Sequence, residues 1–176
     1  MQMACKVIRL DLNYSCDVSH AYQQQRHYVS PWHGESAEHF AKRLLAYLSL
    51  YEQHPLFAKE DSNGKLPDLY VQDSQQHFSL WCQLELLPEK RLQRAAHLAD
   101  QVVLVLDEQE TDKAMHWPQP PNQRIFTLNQ AQLEEFCLML KGHMQLSVWR
   151  EEPLLSVTNG EQMLQLDLTP LIKNPH

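Results

Sequence analysis

The chain reads as a mixed α/β protein, a sheet core with helices, extended by antiparallel strands from both termini. Three observations carry this. Val102-Val103-Leu104-Val105-Leu106 is an unbroken apolar run after a helical segment, as in a strand covered on both faces. Both ends of the chain alternate apolar and polar residues with period two, as half-buried strands do. The order runs strands, helix, strands, helix, buried strand, helix, hairpins; its middle suits an α/β sheet and its ends an added antiparallel layer.

Taken in order, Lys6 to Asp17 is a strand, with Ile8, Leu10, Leu12 and Tyr14 on one face. Ala21 to Ser30 is a second, placing Tyr22, Gln24, Arg26 and Tyr28 together on one face. Ser30-Pro31-Trp32-His33-Gly34 breaks the pattern and a helix starts near Ser36. Phe40, Leu44, Tyr47, Leu48 and Tyr51 form its apolar stripe, with Glu38, His39, Lys42 and Arg43 off it, and it ends before His54-Pro55. Short strands are expected at Leu56 to Lys59, Leu69 to Gln72 and Phe78 to Leu86, the first two separated by the polar loop Glu60 to Lys65. A helix from Glu89 to Ala99 turns Leu92, Ala95, Ala96 and Ala99 inward and Lys90, Arg91, Arg94 and His97 outward. After the buried run come a short helix (Thr111 to Trp117), a strand (Arg124 to Leu128) and a helix (Asn129 to Leu140). Three strands close the chain, His143 to Arg150, Leu154 to Thr158 and Gln162 to Leu168, the last two joined by the hairpin signal Asn159-Gly160.

At 176 residues the chain fits one domain, with a core over about 35–140 and a β layer from residues 5–30 and 143–169. A chain of this length buries about 70% of its unfolded surface and needs no metal or disulfide to fold. Apolar residues at 43% and charged residues at 21% exclude disordered and collagen-like classes. No apolar run approaches the roughly 18–20 residues of a membrane helix, and the N-terminal segment carries charges where a signal peptide is apolar. The expected location is the cytoplasm, with no membrane partner and a monomer favoured. Cys5, Cys16, Cys82 and Cys137 follow no zinc spacing and are expected as buried free thiols. Fifteen Lys and Arg against 22 Asp and Glu give a formal charge of −7, which argues against non-specific coating of phosphate backbones but leaves room for one local basic patch.

Strong catalytic signatures are missing: no glycine-rich phosphate loop, no H-E-x-x-H, no G-x-S-x-G, and ten dispersed histidines. One constellation bears chemistry. Glu38 lies early in the first helix, Pro67-Asp68 opens a strand, and Gln83 and Glu85, two residues apart in the next strand, share a face. Hard carboxylate oxygens in such an arrangement hold Mg²⁺ for phosphodiester cleavage. Lys90, Arg91 and Arg94 on the following helix supply a phosphate-contacting patch, the candidate nucleic-acid contact. Each residue also has a plain structural role: Glu38 as an anion near a helix N-terminus, Asp68 as a turn residue after proline, the rest as a solvated surface.

In Glu35-Ser36-Ala37-Glu38, Arg43 to Tyr47, Leu66-Pro67-Asp68-Leu69-Tyr70, Leu80 to Glu85, Arg91-Leu92 and Leu166-Asp167-Leu168, the sequence resembles the bacterial YaeQ family over nearly its whole length. The resemblance implies a restriction-endonuclease-like core, a variant of the PD-(D/E)xK scheme. There Glu38 is the helix acid, Asp68 the acid of the Pro-Asp element, and Gln83 and Glu85 fill the D/E and K positions. Asp68 and Glu85 become metal ligands, Glu38 and Gln83 water-positioning groups, and Arg91 or Lys90 the replacement for the missing lysine. The family pattern carries a carboxylate at position 83 and a small residue at 85, and its later Pro-Asp is here Pro88-Glu89, shifted by one residue. Glutamine removes a unit charge beside the metal, a change of about 4 kcal/mol at about 4 Å and an effective dielectric of about 20 before desolvation. The reading favoured is therefore a binding or interaction module with a degenerate metal site; the alternative is a Mg²⁺-dependent nuclease acting on DNA or RNA. For a small-molecule enzyme of another class the sequence offers no supporting residues.

Overall fold

The computed structural model describes residues 6–171, which divide into two compact units, residues 6–44 with 130–169 and residues 45–129 with 170–171. The strands are β1 (Ile8–Cys16), β2 (Ala21–Val29), β3 (Leu56–Phe57), β4 (Leu69–Gln72), β5 (Phe78–Gln83), β6 (Ala99–Leu106), β7 (Gln123–Thr127), β8 (His143–Glu151), β9 (Leu154–Thr158) and β10 (Met163–Asp167). The helices are α1 (Ala37–Ser49), α2 (Glu89–Leu98), α3 (Glu108–Met115) and α4 (Gln130–Cys137).

The first unit is built on a five-stranded sheet of order β10-β9-β8-β1-β2. Strands from the two ends of the chain meet at its centre, where β1 runs parallel to β8 with Leu12 opposite Leu146. That pairing makes the sheet mixed, whereas the sequence suggested an antiparallel layer; the other neighbours are antiparallel. Alternation sorts the side chains: Leu10, Leu12, Tyr14, Leu146, Val148 and Val157 are buried, while their sequence neighbours carry the polar face. The Asn159–Gly160 signal does join β9 to β10. Gly160 takes φ +95° and Asn159 Oδ1 accepts the Glu161 and Gln162 N–H groups, closing a turn of four residues.

The second unit carries the sheet β3-β4-β5-β6-β7, with β5, β6 and β7 parallel and β3, β4 and β5 antiparallel. β6 lies between β5 and β7, and Val102 to Leu106 are all buried, as an apolar run with no polar face requires. Leu92 and Ala95 of α2 and Ala114 of α3 join Val102, Leu104, Leu106 and Ile125 in one core cluster.

Several boundaries differ from expectation for identifiable reasons. α1 stops at Ser49; a 3₁₀ turn (Tyr51–Gln53) follows, and His54 at φ +54° reverses the chain before Pro55. Ala99 belongs to β6 rather than to the preceding helix. α3 begins earlier than its apolar pattern suggested because Asp107 caps it, accepting the Glu110 N–H while Glu110 accepts the Asp107 N–H. Cys16 and Cys82 are buried free thiols and Cys137 is only half-buried; Cys5 lies outside the described residues.

Leu104, fully buried in β6, gives the direct test of this core. Leu104→Ala is expected to cost about 2–5 kcal/mol in urea unfolding, from lost transfer energy plus the cavity left behind.

Candidate functional site

Asp68 precedes β4, and the sheet ladder runs through its backbone: its N–H donates to Cys82 O (2.9 Å) and its carbonyl accepts from Ala58 (2.9 Å). The side chain is buried, 6% exposed. Its Oδ2 accepts the Leu84 backbone N–H at 2.9 Å and the Gln83 Nε2 amide at 3.2 Å. Gln83, 2% exposed at the end of β5, accepts from Trp81 Nε1 at 2.9 Å through its own Oε1. The indole N–H only donates, so the carboxamide atom facing it is the oxygen and the amide nitrogen faces Asp68. The direction of the Trp81→Gln83→Asp68 chain is thereby fixed by chemistry.

The structure does not place Gln83 and Glu85 side by side. β5 ends at Gln83, and Glu85 is exposed in the following bend. On one side the strand runs out of a partner, since β4 begins only opposite Cys82; on the other, β6 continues to Leu106, but the Asp68 carboxylate takes the Leu84 N–H. Leu86 N–H then donates to Glu110 Oε2 (2.8 Å), drawing the chain toward the start of α3. Glu38 belongs to the first unit, exposed in the first turn of α1, where it accepts from Gln130 Nε2 at 3.2 Å. Arg91 is exposed and its Nη1 donates to Asn63 O, so its guanidinium ties down the preceding loop. Lys90 and Arg94 are exposed on α2.

These residues do not fit a divalent cation. Asp68 Oδ2 already accepts two N–H groups, Gln83 presents its amide nitrogen to it, and Glu85 has left the strand. Among the described residues no three His, Cys, Asp or Glu side chains form a group that could hold a metal ion.

Sequence reasoning missed a second buried constellation, in the first unit. Arg43 was expected on the polar side of α1 but is 1% exposed. Its Nε and Nη2 donate to Glu35 Oε2 (2.7 Å) and Oε1 (2.8 Å), and Nη2 also donates to Ser30 O (3.0 Å). The guanidinium lies 4.4 Å from the Trp32 ring centroid and 5.2 Å from that of Phe40. Glu35 further accepts the Trp32 N–H (3.0 Å) and the His39 Nδ1 proton. Burial alone raises the Glu35 pKa, but the bonds from His39, Arg43 and the Trp32 N–H outweigh it and hold the carboxyl at about 2. Periodicity could not reveal this; the only signal is an acid just before a helix N-terminus and an arginine two turns into it.

Solved structures share this architecture. The YaeQ protein of Xanthomonas axonopodis pv. citri superposes with a TM-score of 0.84 at 20% identity, over 96% of this chain and 97% of that one. The YaeQ protein of Pseudomonas syringae gives 0.82 at 18% identity, over 97% of both chains. The described residues thus form two mixed sheets and four helices, a mixed α/β fold that superposes on those proteins. No curated protein matches the chain. The family model "YaeQ protein" matches residues 1–168, and the chain belongs to the YaeQ family.

The Glu35 carboxyl has an ordinary pKa of 4.5, lowered in the fold to about 2. Its depressed value stabilises the fold at pH above 4.5, by about 3 kcal/mol, and that contribution fades as pH falls toward 2. Urea midpoints measured against pH should show this acid limb in the wild type. Glu35→Gln should be less stable at neutral pH and show a shallower decline below it.

Proposed function

We propose that this chain is a binding or interaction module, built on a restriction-endonuclease-like core whose metal position has been closed by an internal hydrogen-bond chain. One observation carries the reading: Trp81 Nε1 donates to Gln83 Oε1, and Gln83 Nε2 donates to Asp68 Oδ2. In the nuclease scheme the residue at position 83 is an acid that, with Asp68, gives a divalent ion two hard oxygens. Here a neutral amide supplies protons where the ion would sit, so the Asp68 charge is satisfied from within. Glu85, exposed beyond the end of β5, is not aligned with Gln83 on a strand face to restore the missing charge. The chain keeps the geometry of such a core while lacking its electrostatics. That leaves its surfaces as the means by which it acts.

Gln83→Glu tests this directly. The new carboxylate keeps the Trp81 bond and sets its second oxygen against Asp68, two like charges that demand a proton or a cation. The wild-type Tm is expected to be unmoved by millimolar Mg²⁺ or Mn²⁺. The variant should be destabilised at pH 7 and regain stability on adding Mn²⁺, following ligand linkage. A divalent-dependent Tm rise in the wild type, accompanied by cleavage of single- or double-stranded DNA or RNA, would instead establish the nuclease.

A further inference from the structure

The polar face of the first unit's sheet carries a cavity of about 650 Å³, remote in sequence from Asp68 and Gln83. Two cross-strand ranks floor it. In one, Arg26, Asp11 and Gln145 stand opposite one another on β2, β1 and β8; in the next, Gln24, Asn13 and Ser147 do so, with Thr158 of β9 beyond. Carboxamides and hydroxyls thus offer both donors and acceptors along one plane.

Around Asp11 the local charge runs against that of the chain, while the acids of the same face, Glu151 and Asp167, stand at the far ends of β8 and β10. Asp11 accepts from Arg9 Nη2 (3.0 Å), Arg26 Nε (2.7 Å) and His143 Nε2 (2.7 Å). Two guanidiniums on one carboxylate leave a formal excess of one positive charge with histidine neutral, on a protein whose net charge is −7. Asp11 fixes both arginines without cancelling them. The Arg26 side chain is 51% exposed and that of Arg9 39%.

Two aromatic rings flank the cavity. Tyr22 is 71% and Tyr28 66% exposed, on the same face of edge strand β2 as Gln24 and Arg26. Six residues of extended strand separate them by about 20 Å. Exposed tyrosines on a sheet face, amides between them and cations beside them match the requirements of unpaired nucleotides: ring faces for bases, amides for base edges, guanidiniums for phosphates. A duplex has its bases already stacked and cannot use the rings. A neutral glycan makes no use of the excess charge.

We infer that the β2-β1-β8 face of this chain, centred on Arg26, Gln24 and Asn13 between Tyr22 and Tyr28, is a binding site for single-stranded nucleic acid. It does not depend on the closed Asp68 site, and each reading stands if the other fails.

Fluorescence anisotropy of the full chain with labelled single strands of about 12 nucleotides, RNA and DNA, tests it. Binding is expected, and with two phosphate contacts it should weaken about sevenfold between about 50 and 200 mM salt. Tyr22→Ala and Tyr28→Ala, both at exposed positions, should each weaken binding about 5- to 150-fold with the urea midpoint unchanged. Arg26→Gln should weaken binding and flatten the salt dependence. Lys90→Ala with Arg94→Ala, in the other unit, should leave affinity as it is. The inference is overturned if no single strand binds, if neutral oligosaccharides bind instead, or if the α2 substitutions abolish binding while the tyrosine substitutions do nothing.

Discussion

A charge removed from water must meet its counter-group in a fixed direction, and both units are organised by that requirement. In the first, Glu35 receives the Arg43 guanidinium on both oxygens, while Arg43 reaches back to Ser30 O and lies against Trp32 and Phe40. These bonds bind the irregular 30–35 segment to α1 and set how the chain passes from β2 into the helix. In the second, Asp68 Oδ2 accepts from the Gln83 amide and the Leu84 N–H. That choice also ends β5, because the N–H that would have continued the ladder is spent on the carboxylate. One side chain thus sets both where the strand stops and what electrostatics the site has.

Much of the architecture is legible in the sequence because it rests on periodicity. The five apolar residues of β6 left no polar face, and Val102 to Leu106 are all buried. The alternation of Ile8, Leu10, Leu12 and Tyr14 places β1, and Asn159-Gly160 places the β9–β10 turn. What periodicity does not encode was misjudged. Arg43 occupies a position off the apolar stripe of α1, yet its aromatic neighbours and Glu35 bury it, since a paired guanidinium with flat faces packs as an apolar group does. Glu85 reads as strand by composition, but β4 reaches no further than Cys82 and the Leu84 N–H is taken by the Asp68 carboxylate, so β5 leaves the ladder after Gln83 although β6 runs on to Leu106. The parallel pairing of β1 with β8, between residues over 130 positions apart, carries no local signal at all.

The likeness to solved YaeQ proteins, at 18–20% identity over nearly the full chain, fixes the fold and leaves the chemistry to individual residues. At that level the fate of a site turns on single atoms. Exchanging a carboxylate oxygen for an amide NH₂ preserves shape and volume while replacing an acceptor by a donor. In the buried surroundings of Trp81, Gln83 and Asp68 the exchange is amplified, because weak screening strengthens the satisfied bond and raises the cost of any rearrangement that breaks it.

Net charge and local charge are separate properties, and the first sheet shows how a −7 chain can still present cations. Asp11 is the organising group. By accepting from Arg9, Arg26 and His143 it holds three basic side chains on one sheet face that would otherwise repel. Its own carboxyl is held far below the usual carboxylate range by Arg26, His143 and Arg9 in turn, so it remains an anion in any neutral medium. The register then does the rest: pairing Asp11 with both Arg26 and Gln145 sets the amide rank beside the charged one, and the two-residue period of β2 carries Tyr22 and Tyr28 to the same side. A one-residue slip of β2 against β1 would turn those rings and Arg26 to the other face. The hydrophobic residues that fix the register of β1 and β8 therefore also fix the recognition chemistry on the opposite side of the same sheet.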